Sequence, residues 1–72
     1  MKFPDRATVE RARAQYPPGT RVELVRMDDA QAPPIGTLGV VQGVDDSGSL
    51  MVAWSNGSSL HVVFRVDEVR RV

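Results

Sequence analysis

The chain has 72 residues, no cysteine and a formal net charge of zero. A chain this short makes one domain and buries only about 60% of the surface its unfolded form exposes, so its core is thin and a partner is a natural support. Without cysteine it has neither a disulfide framework nor a thiolate metal site.

Taken in chain order, Pro4 and Asp5 stand where a helix begins, with Asp5 as N-cap, and Arg-Ala-Thr-Val-Glu-Arg-Ala-Arg-Ala-Gln-Tyr follows. Ala, Arg, Glu and Gln favour helix. Val9, Ala12 and Tyr16 form a narrow stripe that predicts a helix lying against another surface. Pro17-Pro18-Gly19 ends it. Thr20–Met27 alternates, with Val22 and Leu24 on one side and Arg21, Glu23 and Val25 on the other, as a first strand does. Asp28–Gly36 is a loop of turn formers stiffened by Pro33 and Pro34. Thr37–Val44 reads as a second strand, bent or bulged at Gly39 and Gly43. Asp45-Asp46-Ser47-Gly48 is a tight turn. Leu50, Val52 and Trp54 share one face of a third strand. Asn56-Gly57 signals a hairpin into a fourth strand, Ser59–Phe64. Val66–Val72 is a short last strand, alone or after one helical turn. Five short strands with a turn about every ten residues predict a small bent β-barrel.

Charge is unevenly placed. Between Met27 and Phe64 there is no Lys or Arg, while Asp28, Asp29, Asp45 and Asp46 fall there. An acidic middle is a poor phosphate-tracking surface. The basic ends leave one nucleic-acid reading open, if Arg6, Arg11, Arg13, Arg70 and Arg71 converge on one face. No run approaches the roughly 20 apolar residues of a membrane span, and no signal-peptide core is present. With the absence of cysteine, this predicts a cytoplasmic protein with no membrane partner.

Gly36-Thr37-Leu38-Gly39-Val40-Val41 is similar to the glycine–glycine–valine spacing of KOW-type, SH3-like barrels. A longer match covers Tyr-Pro-Pro-Gly-Thr-Arg-Val-Glu-Leu-Val-Arg-Met-Asp-Asp, then Ala32–Trp54, then Asn-Gly-Ser-Ser-Leu. Over roughly Val9 to Leu60 the chain resembles the domain-of-unknown-function family 4314, small proteins of phages, mobile elements and Gram-positive bacteria. Ser55 stands where that family usually has aspartate. Phe64-Arg65 stands where it often has a Pro-Gly turn. The resemblance implies a five-stranded SH3-like barrel (19–72) behind an N-terminal helix and Pro-Pro-Gly connector (1–18), together one compact, mainly β domain. It implies no activity, because a fold alone gives no function.

The chemistry-bearing residues are few. His61 is the only histidine, and a catalytic role needs a partner that the sequence does not place. The aspartate pairs fall short of the six to eight oxygens calcium wants, so no metal or cofactor is expected. Val22, Leu24, Val41, Leu50, Val52 and Trp54 are the expected core, with Gly36, Gly39 and Gly57 as structural glycines. Leu38 and Val40 alternate away from Val41 and stay exposed unless the helix covers them. The expectation is a non-enzymatic module that binds a protein partner or a second copy of itself. Its candidate contacts are Asp28, Asp29, His61, Phe64 and Arg65. Phe64 is a core residue if in phase with Leu60 and Val62, and a contact if not.

Overall fold

Helix α1 covers Arg6–Gln15, built from good helix formers and closed by a Tyr16 N–H to Ala12 O bond of 2.8 Å before Pro17. The computed structural model describes residues 6–63 and 66–72. Asp5, Phe64 and Arg65 lie outside the described residues, so the N-cap and the two contacts expected there do too. Val9 and Ala12 are buried, and Tyr16 packs against the same cluster. The helix therefore contributes to the core as well as lying on it.

Among the described residues four strands follow: β1 (Arg21–Arg26), β2 (Leu38–Val44), β3 (Leu50–Trp54) and β4 (Glu68–Arg71). They form one antiparallel sheet in the order β3-β2-β1-β4. This corrects the closed five-stranded SH3-like barrel expected for 19–72. The sheet is open, with β3 at one edge and β4 at the other. The missing strand is the expected fourth, after Asn56-Gly57.

The reason lies at Leu60. Trp54 N–H donates to Ser58 O at 3.0 Å, and Leu50 and Val62 exchange two bonds of 2.9 Å. Both contacts belong to a single antiparallel register, so the hairpin starts and ends as expected. Between them Leu60 leaves the ladder. Its carbonyl accepts the Trp54 indole N–H at 3.0 Å, and its N–H goes to Ser58 Oγ at 3.3 Å. A buried indole N–H must find an acceptor, and here it takes the carbonyl of the neighbouring segment.

The inner face of the sheet carries Val22, Leu24, Val41, Leu50, Val52 and Trp54, all buried, joined by Val44 and Val62. Gly36 and Gly57 are turn residues with φ of +94° and +90°. Gly39 differs from expectation. It faces Trp54 across β2 and β3, and a Cβ there would sit 2.6 Å from Val52 Cγ1 and 2.7 Å from Trp54 Cε3. Its role is to leave space for the tryptophan rather than to bend the strand. The irregularity in β2 falls at Gln42, where the register with β3 shifts between Val41 and Gly43.

Candidate functional site

Alternation puts one half of each strand on the outer face of the sheet. The registers align these residues in rows. Ala53, Val40 and Arg21 follow one another across β3, β2 and β1. Val72 continues the row, because its N–H donates to Arg21 O at 3.1 Å. Leu38, Glu23 and Arg70 form the next row. The helix does not cover this face, since Val9 and Ala12 pack with the inner-face residues. The cover that the sequence offered for Leu38 and Val40 is therefore on the other side of the sheet. Leu38 is 53% exposed, Val40 38% and Val72 61%. Together with Ala53 and Arg21 they line a shallow groove of about 280 Å³. One rim is charged: Glu23 Oε1 accepts from Arg70 Nε at 2.8 Å and pairs with its Nη2 at 2.7 Å.

The five arginines of the nucleic-acid reading do not share a face. Arg70 lies on the outer face with Glu23, while Arg71, the next residue, turns inward and donates to Gln15 O at 3.3 Å. Arg13 is held by Val44 O and by Asp46 Oδ1, the latter at 3.2 Å. Arg6 pairs with Glu10 one turn on, at 3.6 Å. Arg11 is exposed on the helix.

His61 meets a carboxylate that sequence reasoning did not place beside it. Its Nδ1 lies 3.4 Å from Asp45 Oδ2. The other oxygen, Asp45 Oδ1, accepts from Ser47 N–H, Ser47 Oγ and Ser49 N–H at 3.0, 2.7 and 2.9 Å. Partial burial pushes this carboxyl up. The bonds from Ser47 and Ser49 and the nearby imidazole outweigh it, leaving the pKa below its ordinary value. Serine, aspartate and histidine thus meet, but in the wrong order for nucleophilic catalysis. Ser47 gives its hydrogen to the aspartate, and the imidazole meets the other carboxylate oxygen, so the histidine does not face the hydroxyl. The trio fastens the 58–63 segment to the turn before β3.

Asp29 Oδ1 accepts from Gln31 N–H at 2.7 Å, an Asx turn, and Asp28 is exposed beside it. Gln31 lines a shallow depression with Asn56–Leu60, at the Trp54 end of β3. His61 and Asp45 sit at the Leu50 end, roughly 13 Å away along a strand of this length. Asp28 and Asp29 are therefore not brought together with His61. Among the described residues no group of three or more His, Asp or Glu side chains could hold a metal ion. No buried polar side-chain atom among them lacks a partner. No helix among them is long and apolar enough to cross a membrane.

A comparison with protein families decides the relationship. The family described as Domain of unknown function (DUF4314) matches residues 5–72. The chain belongs to that family. No curated protein and no solved structure matches the chain. Pro17–Gly19, Gly36, Asp45–Gly48 and Asn56-Gly57 turn the chain, and Val41 and Trp54 fill the core. Ser55 lies at the lip of the outer-face groove and donates its N–H to Leu38 O at 2.8 Å. A neutral residue here leaves that end of the groove uncharged. Ala53, Val72 and Arg21 are the groove residues that sequence reasoning missed. The signal was present in the same period-two alternation that separated Leu38 and Val40 from Val41.

Proposed function

We propose that this member of the DUF4314 family is a non-enzymatic binding module that docks a protein partner on the outer face of its sheet. The observation that carries the reading is the exposed apolar row, Leu38, Val40 and Val72, on a domain whose helix α1 is spent on the opposite face. Contiguous exposed apolar surface with a polar rim is a common mark of protein interfaces. Arg21 amid the row and the Glu23–Arg70 pair at its edge give a partner orientation as well as contact. The family's phage and mobile-element setting supports an accessory protein that works in the cytoplasm of a bacterial host, possessing no chemistry of its own.

The test is affinity capture from host lysate with the wild-type chain and with a Leu38→Ser, Val40→Thr pair. Both substitutions are at exposed positions, so the fold is retained, which circular dichroism checks. The expected result is one or more captured proteins that the pair no longer holds. A partner kept by the pair but lost on Asp28→Ala, Asp29→Ala would move the site to the loop and overturn the assignment to the sheet.

A further inference from the structure

The two edges of the sheet are not alike. The edge of β3 is hydrogen-bonded to the 58–62 segment at Trp54 and at Leu50. The outer edge of β4 has no strand beside it among the described residues. The β1–β4 ladder shows which groups that edge offers. Val72 N–H donates to Arg21 O, and the register runs Val22 with Arg71, Glu23 with Arg70, Leu24 with Val69. Bonding alternates along an antiparallel ladder, so Arg70 and Val72 direct their backbone groups at β1. Val69 and Arg71 direct theirs away from the sheet.

The side chains of the same stretch carry a pattern. Asp67 and Glu68 are negative, Val69 is neutral, and Arg70 and Arg71 are positive. Reversed, this run is its own charge complement. We propose that two copies of the chain pair antiparallel along β4, with Val69 opposite Val69 on a two-fold axis. The free N–H and C=O groups of the two Val69 residues then bond each other. Glu68 faces the second copy's Arg70 on the outer side, twice by symmetry, while Asp67 stays bonded to the Val63 backbone and Arg71 to Gln15 O.

Competing registers fail on charge or on face. A slip of one residue sets inner-facing side chains against outer-facing ones. A slip of two sets Arg70 against Arg70, or Glu68 against Glu68. The Val69-centred register alone opposes unlike charges. Its Glu68–Arg70 pairs fall at the positions not bonded through the backbone, where side chains approach most closely. Arg70 is already held in place by Glu23 in the single molecule, at 2.7 Å. It joins Glu68 without losing that bond, because a guanidinium has five donors. The inference concerns the sheet edge and does not depend on what docks on the outer face.

The edge is only four residues long, so the dimer forms at high protein concentration and low salt. Sedimentation of the full chain over a concentration series should show monomer passing to dimer, shifted back toward monomer by added salt. Amide exchange should slow at Val69 as the dimer fills. Glu68→Arg puts like charges in two pairs and should weaken association roughly tenfold or more. An equal mixture of Glu68→Arg and Arg70→Glu chains should recover it as a heterodimer. Val69→Pro removes an N–H that β1 does not use, and should abolish pairing while the fold stays intact. A wild-type chain that stays monomeric at every concentration, with Val69 exchanging freely, would overturn the proposal and leave these charges as a guard against edge aggregation. A dimer that survives both Glu68→Arg and Val69→Pro would overturn it too, and would place self-association on another surface. The wild-type exchange measurement decides even if a variant fails to fold.

Discussion

Gly39 shows how much a single missing atom does here. Its hydrogen lets the indole of Trp54 and the methyls of Val52 lie against the backbone of β2. Gly39→Ala should cost about 1–3 kcal/mol, the range for overpacking a tight core, read as a lower urea midpoint with unchanged slope. Asp45 is the residue whose charge the fold uses most visibly. Burial acts against its ionisation, but the donors from Ser47 and Ser49 and the neighbouring His61 win, so the folded carboxyl is more acidic than the unfolded one. The stability it contributes is therefore complete above the ordinary value of 3.8 and is lost as pH falls through the lower folded value. Asp45→Asn should be less stable than wild type at neutral pH, and the gap should close in strong acid. Urea midpoints at the two pH values check both halves. The aspartate was readable in the sequence as a turn former. That it also holds His61 was not, because the two are joined by the register of Leu50 with Val62, which no local pattern reports.

At the level of elements, α1, β1, β2 and β3 were legible because each has a clean period and a marked end. Val22 and Leu24 alternate with charges, and Pro17 stops a run of good helix formers. The segment after Asn56-Gly57 was not legible as what it is. Ser59–Phe64 has the composition of a strand, and its turn is the strongest of short hairpin signals. What interrupts it is one side chain's need for an acceptor, met by the carbonyl of Leu60. Trp54→Phe tests that account. It should destabilise the chain by about 1–3 kcal/mol through the lost bond and contacts, and hydrogen exchange in residues 58–62 should change more than in β1 or β2. The helix carries a separate expectation. Val9 is buried, so Val9→Ala should cost about 2 kcal/mol from two lost methyl groups, measured by thermal or urea unfolding.

For the whole molecule, the glycine–glycine–valine spacing was a sound guide to turns and core but not to closure. Whether a sheet closes depends on what its two edge strands find, and that is a long-range property. The principal extents, 31 × 27 × 16 Å, are those of a slab: one sheet with a helix on one side. A slab with one covered side has an uncovered one, and it was this face, more than the loop aspartates, that the structure brought forward. Arg70 lies on the outer side and Arg13 and Arg71 on the helix side, and Arg6, Arg13, Arg70 and Arg71 are engaged with carboxylates and carbonyls. Phosphate contacts release counterions and are strongest at low salt. The protein should therefore show no retention of duplex or single-stranded oligonucleotides even there, by gel shift or fluorescence anisotropy.

The unequal edges set a limit on growth. With the 58–62 segment seated along β3, the sheet has, among the described residues, one reactive end, not two. In the language of polymer chemistry the molecule is monofunctional. Joining a second copy consumes that end on both, so addition stops at a pair. If the proposed pairing forms, raising the concentration fills the dimer without feeding a fibre, and the carbonyl of Leu60, by stopping a strand from completing, helps keep the chain end-capped.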